Sequence, residues 1–231
     1  MDPILSLQAA APYWVDNFSD PGLMDISFDG KKLNPEWMTI LGQADLDKTS
    51  GWLQMVTPPG GVTWIKRNTY RWPLSKNFQV ETCVRSNDKA DSRFIGMVCN
   101  IYHESGAQAW FVTGIYQDSA QPELNGIHSR AMEKSAWKHT IKRPASVSAN
   151  DPVYIVYQFQ SEQKKIRIGV KFDKAGPYEF YPGAIDLYFV PDESLVYMGT
   201  WNDSRDFLYH GDGKPSDDNI GEWDYFKFSK N

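Results

Sequence analysis

The chain has 231 residues and a formal net charge of −5, with 41% hydrophobic and 14% aromatic residues. That balance is typical of a chain with a packed core and excludes intrinsic disorder. No window concentrates Lys and Arg, and no apolar run approaches the roughly 20 residues of a membrane-spanning helix, so we expect no nucleic-acid partner and no membrane insertion. The opening MDPILSLQAAAPYW lacks the basic start of a signal peptide, which favours cytoplasmic synthesis and leaves a virion or the extracellular surface as destinations.

Alternation of apolar and polar residues dominates the sequence, and Gly, Pro, Asn and Asp interrupt it, as is typical of strands joined by turns. Helical periodicity is nearly absent. The pattern predicts strands at 13–18, 52–57, 62–67, 78–85, 94–102, 107–116, 153–160, 164–172, 184–190, 196–201 and 223–229. This many strands favours an all-β fold, a sandwich of two antiparallel sheets that forms a single domain over residues 1–231.

Two pairs of neighbouring strands are predicted to form hairpins, with turns at Glu104–Gly106 and Ser161–Gln163. Longer loops are predicted at 118–126, 142–152, 173–183 and 202–222. Loops of this length in a compact domain commonly bind ligands or contact neighbouring chains.

The two cysteines, Cys83 and Cys99, both fall inside predicted strands. Buried thiols that act as small hydrophobic residues fit this placement. A disulfide between neighbouring strands stays an alternative, because two cysteines alone define no disulfide framework.

Short motifs follow one another along the chain in a characteristic order. They are Asp-x-Phe at Asp16, Leu-x-Pro-x-Trp at Leu33, Gly-Trp-Leu at Gly51, a strand that carries Arg67, Phe-x-Val-Glu-Thr at Phe78 and Asp-Tyr-Phe-Lys-Phe at Asp224. In this order the motifs resemble the concanavalin A-like lectin/glucanase superfamily, and within it the laminin-G-like modules appended to some β-xylosidases. The resemblance covers nearly the whole chain and implies a jelly roll.

The resemblance also implies a structural calcium ion. In that superfamily the first and last strands lie side by side, and an acid of the closing strand often holds calcium together with groups near the amino terminus. For this chain the implied ligand is Asp224, with Asp16 or Asp20 as neighbours. Calcium takes about six to eight oxygen ligands, which carboxylates and backbone carbonyls supply. The alternative is that Asp224 is a solvent-facing acid of an edge strand.

The sequence lacks the paired carboxylates of a retaining glucanase. The nearest segment to the Glu-x-Asp-x-x-Glu pattern has Asp186 but neither glutamate. Lys174, Tyr178 and His128 are residue types that a polysaccharide lyase uses, but no Arg-rich strand accompanies them. We therefore expect no catalytic residues, and a glycoside hydrolase or polysaccharide lyase ranks as the third hypothesis.

A sugar-binding surface needs an aromatic ring for the apolar face of a pyranose and polar groups around it. In the hairpin predicted over 94–116, Asn100, Tyr102 and Trp110 can share one face of a sheet. The resemblance directs Arg67 toward the concave surface, and Trp201 lies at a strand end. For each aromatic residue, packing in the core is the alternative.

These features together predict a non-catalytic carbohydrate-binding module of the lectin type, with a polysaccharide or glycan as its ligand. The second hypothesis is a structural subunit of a viral particle, such as a capsid decoration, fibre or tail protein. In that case the long aromatic loops contact other subunits of a large assembly, and a lectin-like surface touches a glycan.

Overall fold

The computed structural model describes residues 12–17, 37–41, 43–46, 52–59, 61–67, 70–73, 77–87, 92–102, 108–119, 122–131, 138–160, 162–187, 193–203 and 218–230. Within these residues the chain forms seventeen β-strands and one short 3-10 helix, Pro122–Leu124. None of the helical structure found there is long and apolar enough to cross a membrane.

The strands account for most of the described chain. In order they are β1 Pro12–Asn17, β2 Trp37–Leu41, β3 Gln43–Leu46, β4 Leu53–Thr57, β5 Val62–Arg67, β6 Tyr70–Pro73, β7 Phe78–Ser86, β8 Ser92–Tyr102, β9 Gln108–Gln117, β10 Gly126–Ala131, β11 Lys138–Ile141, β12 Val153–Gln160, β13 Lys165–Lys171, β14 Glu179–Phe180, β15 Ile185–Asp186, β16 Glu193–Asp203 and β17 Asn219–Lys230.

The strands form two sheets. The nine-stranded sheet has the order β14-β13-β12-β7-β17-β4-β3, with β1 also paired to β17 and β15 to β13. The eight-stranded sheet has the order β11-β10-β9-β8-β16-β5-β2, with β6 also paired to β16. Every described strand pair is antiparallel. This is the antiparallel two-sheet sandwich that the sequence predicts.

Strands with clear alternation agree with the sequence prediction, and both predicted hairpins are present as β8–β9 and β12–β13. The prediction at 184–190 is too long, because the strand there is only Ile185–Asp186; residues 188–190 lie outside the described chain. The prediction missed β2, β3, β6, β10, β11 and β14. In β10 the side chains of both faces are largely buried, which removes the alternation that would have revealed the strand.

The core lies between the two sheets. Alternate residues of each sheet point inward and are almost fully buried; on β7, β8 and β12 they include Val80, Val84, Ile95, Met97, Cys99, Ile101, Val153, Ile155, Tyr157 and Phe159. Burial of each large side chain of this kind contributes about 1.5–3 kcal/mol, so this layer supplies most of the driving force for folding.

Hydrogen bonds from aromatic side chains join the two sheets through the core. The Trp223 Nε1–H donates to the Gly96 carbonyl at 3.1 Å. The Tyr157 hydroxyl donates to the Met97 carbonyl at 3.2 Å. Because a buried polar group without a partner costs about 1–3 kcal/mol, these bonds fix how one sheet sits on the other.

The first and last strands of the fold lie side by side, as the resemblance implies. Asp16 of β1 pairs with Phe226 of β17, and Asn17 pairs with Tyr225. β17 also pairs with β7 and β4, so it lies inside the nine-stranded sheet. The interpretation of Asp224 as an acid of an edge strand is therefore wrong.

Asp224 is the extra residue of a β-bulge. Trp223 pairs with Val84 and Tyr225 pairs with Cys83, so Asp224 has no opposite residue on β7. Residues two apart on a regular strand face the same side. The bulge changes this, because Trp223 is fully buried in the core while Tyr225 lies on the face directed away from it.

The eight-stranded sheet is also buried on part of the face directed away from the core, which we call the far face. Val98 and Val112 pair with each other, alternate with core residues and are 0% exposed. Trp110, two residues before Val112, is partly exposed. The far face therefore has a packed centre, and Trp110 lies at its margin.

Candidate functional site

Four of the five predicted sugar-contacting residues belong to three neighbouring strands of the eight-stranded sheet, β9, β8 and β16. Asn100 pairs with Trp110 on one side and with Tyr197 on the other. Tyr102 is two residues from Asn100 on β8, and Trp201 is four residues from Tyr197 on β16. Asn100 and Trp110 lie opposite each other in the strand pairing, and both the common face of Asn100, Tyr102 and Trp110 and their contact with a sugar stay predictions.

Arg67 belongs to a different strand of the same sheet. It is the last residue of β5 and pairs with Trp37. Trp64, three residues earlier, pairs with Trp201. A role for Arg67 in sugar binding stays a prediction.

The described residues do not fit the implied calcium site. Asp224 lies near Lys174 and Arg85; burial, the largest cause, raises its pKa above the ordinary value, and the two cations oppose that shift. Asp16 belongs to β1, and Asp20 lies outside the described chain. Nowhere in the described ranges do three His, Cys, Asp or Glu side chains converge. One carboxylate beside two cations is not the oxygen-rich set that calcium takes.

The nine-stranded sheet carries a buried carboxylate on the face directed away from the core, which we call the outer face. Glu81 is 8% exposed. The Tyr178 hydroxyl donates to its Oε2 and the Tyr225 hydroxyl donates to its Oε1. Burial is the main cause that raises the pKa of both phenols, and the nearby Glu81 raises it further. Both hydroxyls therefore stay protonated as donors.

Residues 172–180, which we call the strap, bring Tyr178 over the outer face. The Lys171 ammonium lies 4.6 Å from the centre of the Tyr178 ring. Phe180 packs on Gly169, where an added Cβ would lie 2.9 Å from the Phe180 ring. A side chain at position 169 would force the Phe180 ring to shift, so glycine favours this packing.

An ion pair between a buried glutamate and a partly exposed arginine lies farther along the outer face. The Arg85 Nε donates to Glu222 Oε2 at 2.6 Å, and Asn87 Nδ2 donates to Oε1 at 2.7 Å. Glu222 is 2% exposed, and the Arg85 guanidinium lies 4.2 Å from the centre of the Trp52 ring. Both oxygens of Glu222 are thus engaged, so this carboxylate serves the structure of the sheet.

Hydrogen-bond donors lie beside Glu81 on the same face. Arg167 pairs with Gln158, and Gln158 pairs with Gln79. Lys227 pairs with Glu81, which is two residues from Gln79 on β7. Gln158 Nε2 donates to Gln79 Oε1 at 3.2 Å. We call Arg167, Gln158, Gln79 and Lys227 the donor patch; all four are partly exposed.

The two cysteines are buried and unbridged, as the first interpretation of the sequence holds. Cys83 lies on the outer face of one sheet, and Cys99 lies in the core on the other. Burial raises the pKa of Cys83 to about 12 and raises that of Cys99 well above the ordinary value. Neither thiol is a nucleophile at neutral pH.

The residue types that a lyase would need are not together. His128 lies on β10 of the eight-stranded sheet, where its Nε2 donates to the Leu124 carbonyl at 2.7 Å and its Nδ1 accepts from the Thr140 hydroxyl at 3.0 Å. Burial lowers its pKa to about 4, so the ring is neutral. Tyr178 and Lys174 belong to the strap on the other sheet.

Sequence analysis missed the outer face, although β13 carries a signal for it. In KIRIGVK, cations at Lys165, Arg167 and Lys171 alternate with buried Ile and Val, which predicts a basic exposed face. The Glu81 cluster had no such signal, because Tyr178 and Tyr225 are 97 and 144 residues away from Glu81 in the sequence.

No protein-family model matches the sequence, and no curated protein is significantly similar to it. Solved structures share its fold. The seed lectin of Lotus tetragonolobus matches with a TM-score of 0.59 and 11% identity, over 86% of this chain and 94% of the lectin. Lectin I of Ulex europaeus, solved with the methyl glycoside of α-L-fucose, matches with a TM-score of 0.56 and 10% identity, over 86% and 93%. The acidic lectin of winged bean, complexed with methyl-α-D-galactose, matches with a TM-score of 0.57 and 12% identity, over 86% and 94%.

Proposed function

From its concanavalin A-like lectin fold, we propose that the chain acts over residues 1–231 as a non-catalytic carbohydrate-binding module. The direct pairing of Asn100 with Trp110 on the far face is the observation that carries this proposal. The complexes of similar lectins with galactose and fucose derivatives support a sugar as the ligand.

The far face has the chemistry that sugar binding requires. The partly exposed Trp110 ring would stack on the apolar face of a pyranose, and the Asn100 amide next to it would bond the hydroxyls. Val98 and Val112 are fully buried beside this pair and hold the sheet rigid. A rigid surface binds with less loss of side-chain entropy.

A non-catalytic role agrees with the state of the buried acids on the other sheet. Glu81 accepts from two tyrosines, and Glu222 accepts from Arg85 and Asn87. A general acid or nucleophile must reach its substrate, and these carboxylates are held away from solvent by their partners.

A glycan array with the purified protein tests the proposal. We expect Trp110→Ala to weaken binding to the best glycan about tenfold or more, because it removes the stacking ring. Trp52→Ala is the matched control, since it removes a partly exposed indole from the nine-stranded sheet. Its binding should equal that of the wild type. The proposal is abandoned if no glycan binds at millimolar concentration or if both variants bind equally well.

A further inference from the structure

We infer that the donor patch of the outer face binds a polysaccharide that carries carboxylate or sulfate groups. The inference rests on the proposed function only in taking a glycan as the ligand. It concerns a different sheet from the one that carries Asn100 and Trp110, so the two surfaces can be tested separately.

The charge of the donor patch differs from that of the whole chain. The chain carries a net charge of −5, yet the patch presents two cations, Arg167 and Lys227. Neither forms an ion pair with any described residue. Glu81 pairs with Lys227 across the strands, but both of its oxygens accept from tyrosine hydroxyls. An exposed cation without an acid partner on an acidic protein favours an anionic ligand.

The spacing of the patch suits an extended chain of sugars. Arg167, Gln158, Gln79 and Lys227 belong to four successive strands, β13, β12, β7 and β17. Neighbouring strands lie about 4.8 Å apart, and Lys227 pairs with Glu81, two residues from Gln79, so the backbones of the two cations are roughly 16 Å apart with two amides between them. A polymer laid across the strands would meet a cation at each end and hydrogen-bonding amides along the middle.

Part of the patch is held in place before any ligand binds. The Arg167 guanidinium lies 4.2 Å from the centre of the Phe180 ring, and Phe180 packs on Gly169. Gln158 and Gln79 are hydrogen-bonded to each other. A guanidinium that is fixed by stacking can still donate two parallel N–H groups to a carboxylate or sulfate. Because its side chain is already ordered, it loses little conformational entropy on binding.

Isothermal titration of the full chain with polygalacturonate, dextran sulfate and neutral dextran tests the inference. We expect the two anionic polymers to bind and neutral dextran to bind at least about tenfold more weakly at this patch. The double variant Arg167→Gln/Lys227→Gln should lose about tenfold in affinity for the anionic polymers. Lys142→Gln, which removes an exposed cation next to β11 on the other sheet, should change it less than about twofold. Thermal melting confirms that each variant folds.

The outcomes separate this inference from the proposed function. Loss of anionic binding in the double variant, with binding retained in Trp110→Ala, supports the donor patch whatever the far face does. Anionic binding equal in the double variant and the wild type overturns the inference, as does equal binding of neutral dextran. A protein that binds a neutral glycan through Trp110 but no anionic polymer keeps the proposed function and loses only this inference.

Discussion

Trp223 and Tyr225 are separated by one residue on β17, yet they lie on opposite faces of the nine-stranded sheet. Trp223 hydrogen-bonds Gly96 of the other sheet through the core, and Tyr225 hydrogen-bonds Glu81 on the outer face. The bulge at Asp224 makes both contacts available to one strand. The acid in the middle of an aromatic strand therefore has a geometric role that does not depend on its charge.

The fold should tolerate changes at Asp224. Deletion of Asp224 makes Trp223 and Tyr225 neighbours on a regular strand, where they still face opposite sides and keep Val84 and Cys83 as partners. We expect the deletion variant to unfold in a cooperative thermal transition, and Asp224→Ala to melt within about 5 °C of the wild type. Circular dichroism melts measure both. A deletion variant without a cooperative transition would show that the extra residue of the bulge is required.

The charge of Asp224 should cost stability at neutral pH. Burial raises its pKa, so the folded state holds the proton more tightly than the unfolded state, and the cost is complete above the raised pKa. Asp224→Asn should stabilise the protein at pH 7 by about 0.5 kcal/mol or less, since the group is half-exposed and screened. The gain should vanish in acid, where both states are protonated.

If Asp224 binds calcium, the opposite result is expected. The Asp224→Asn variant therefore distinguishes a calcium ligand from an acid that only costs stability. In that case Asp224→Asn lowers the melting temperature at pH 7, and a chelator lowers that of the wild type but not that of the variant. On the described geometry we expect a chelator to leave both melts unchanged.

The two tyrosines on Glu81 should each contribute to stability. Tyr225→Phe leaves one oxygen of a buried carboxylate without its donor and should cost about 1–3 kcal/mol in urea unfolding, and Tyr178→Phe should cost a similar amount. The double variant should depart from additivity because both hydroxyls act on one group. Tyr154→Phe is the control, since it removes a hydroxyl from the same face, near the Cys83 thiol rather than Glu81. Equal costs for Tyr225→Phe and Tyr154→Phe would contradict the assigned role of Glu81.

His128 should make the protein sensitive to mild acid. Its pKa is about 4 in the folded state and about 6.5 in the unfolded state, so the unfolded state binds the proton first as the pH falls. The contribution of the neutral His128 ring to stability is fully present above pH 6.5. The free energy of unfolding should fall by roughly 3 kcal/mol between pH 6.5 and 4. His128→Gln can keep both hydrogen bonds without titrating and should flatten this part of the profile, measured by urea unfolding across the pH range. An unchanged slope would assign the acid sensitivity to other groups.

Local patterns predict the parts of the fold that depend on nearby residues. The pairing of Asn100 with Trp110 follows from a hairpin whose turn is visible in the sequence, so their common face could be predicted. The position of Arg67 relative to Trp201 could not be predicted, because it depends on the pairing of β5 with β16, which are distant in the sequence. The bulge at Asp224 was hidden for the same reason, since only the register of β17 against β7 defines it.

The positions of β16 and β17 determine the order in which the molecule can assemble. β16 lies between β8 and β5 in one sheet, and β17 lies between β7 and β4 in the other. Until these two strands are in place, each sheet exists only as two separate pieces with unpaired edges. Contacts such as the hydrogen bond from Gln54 to Glu222, across 168 residues, can form only at that final step. A chain with this topology folds slowly. During folding, the incomplete sheets expose unpaired strand edges that can pair with one another.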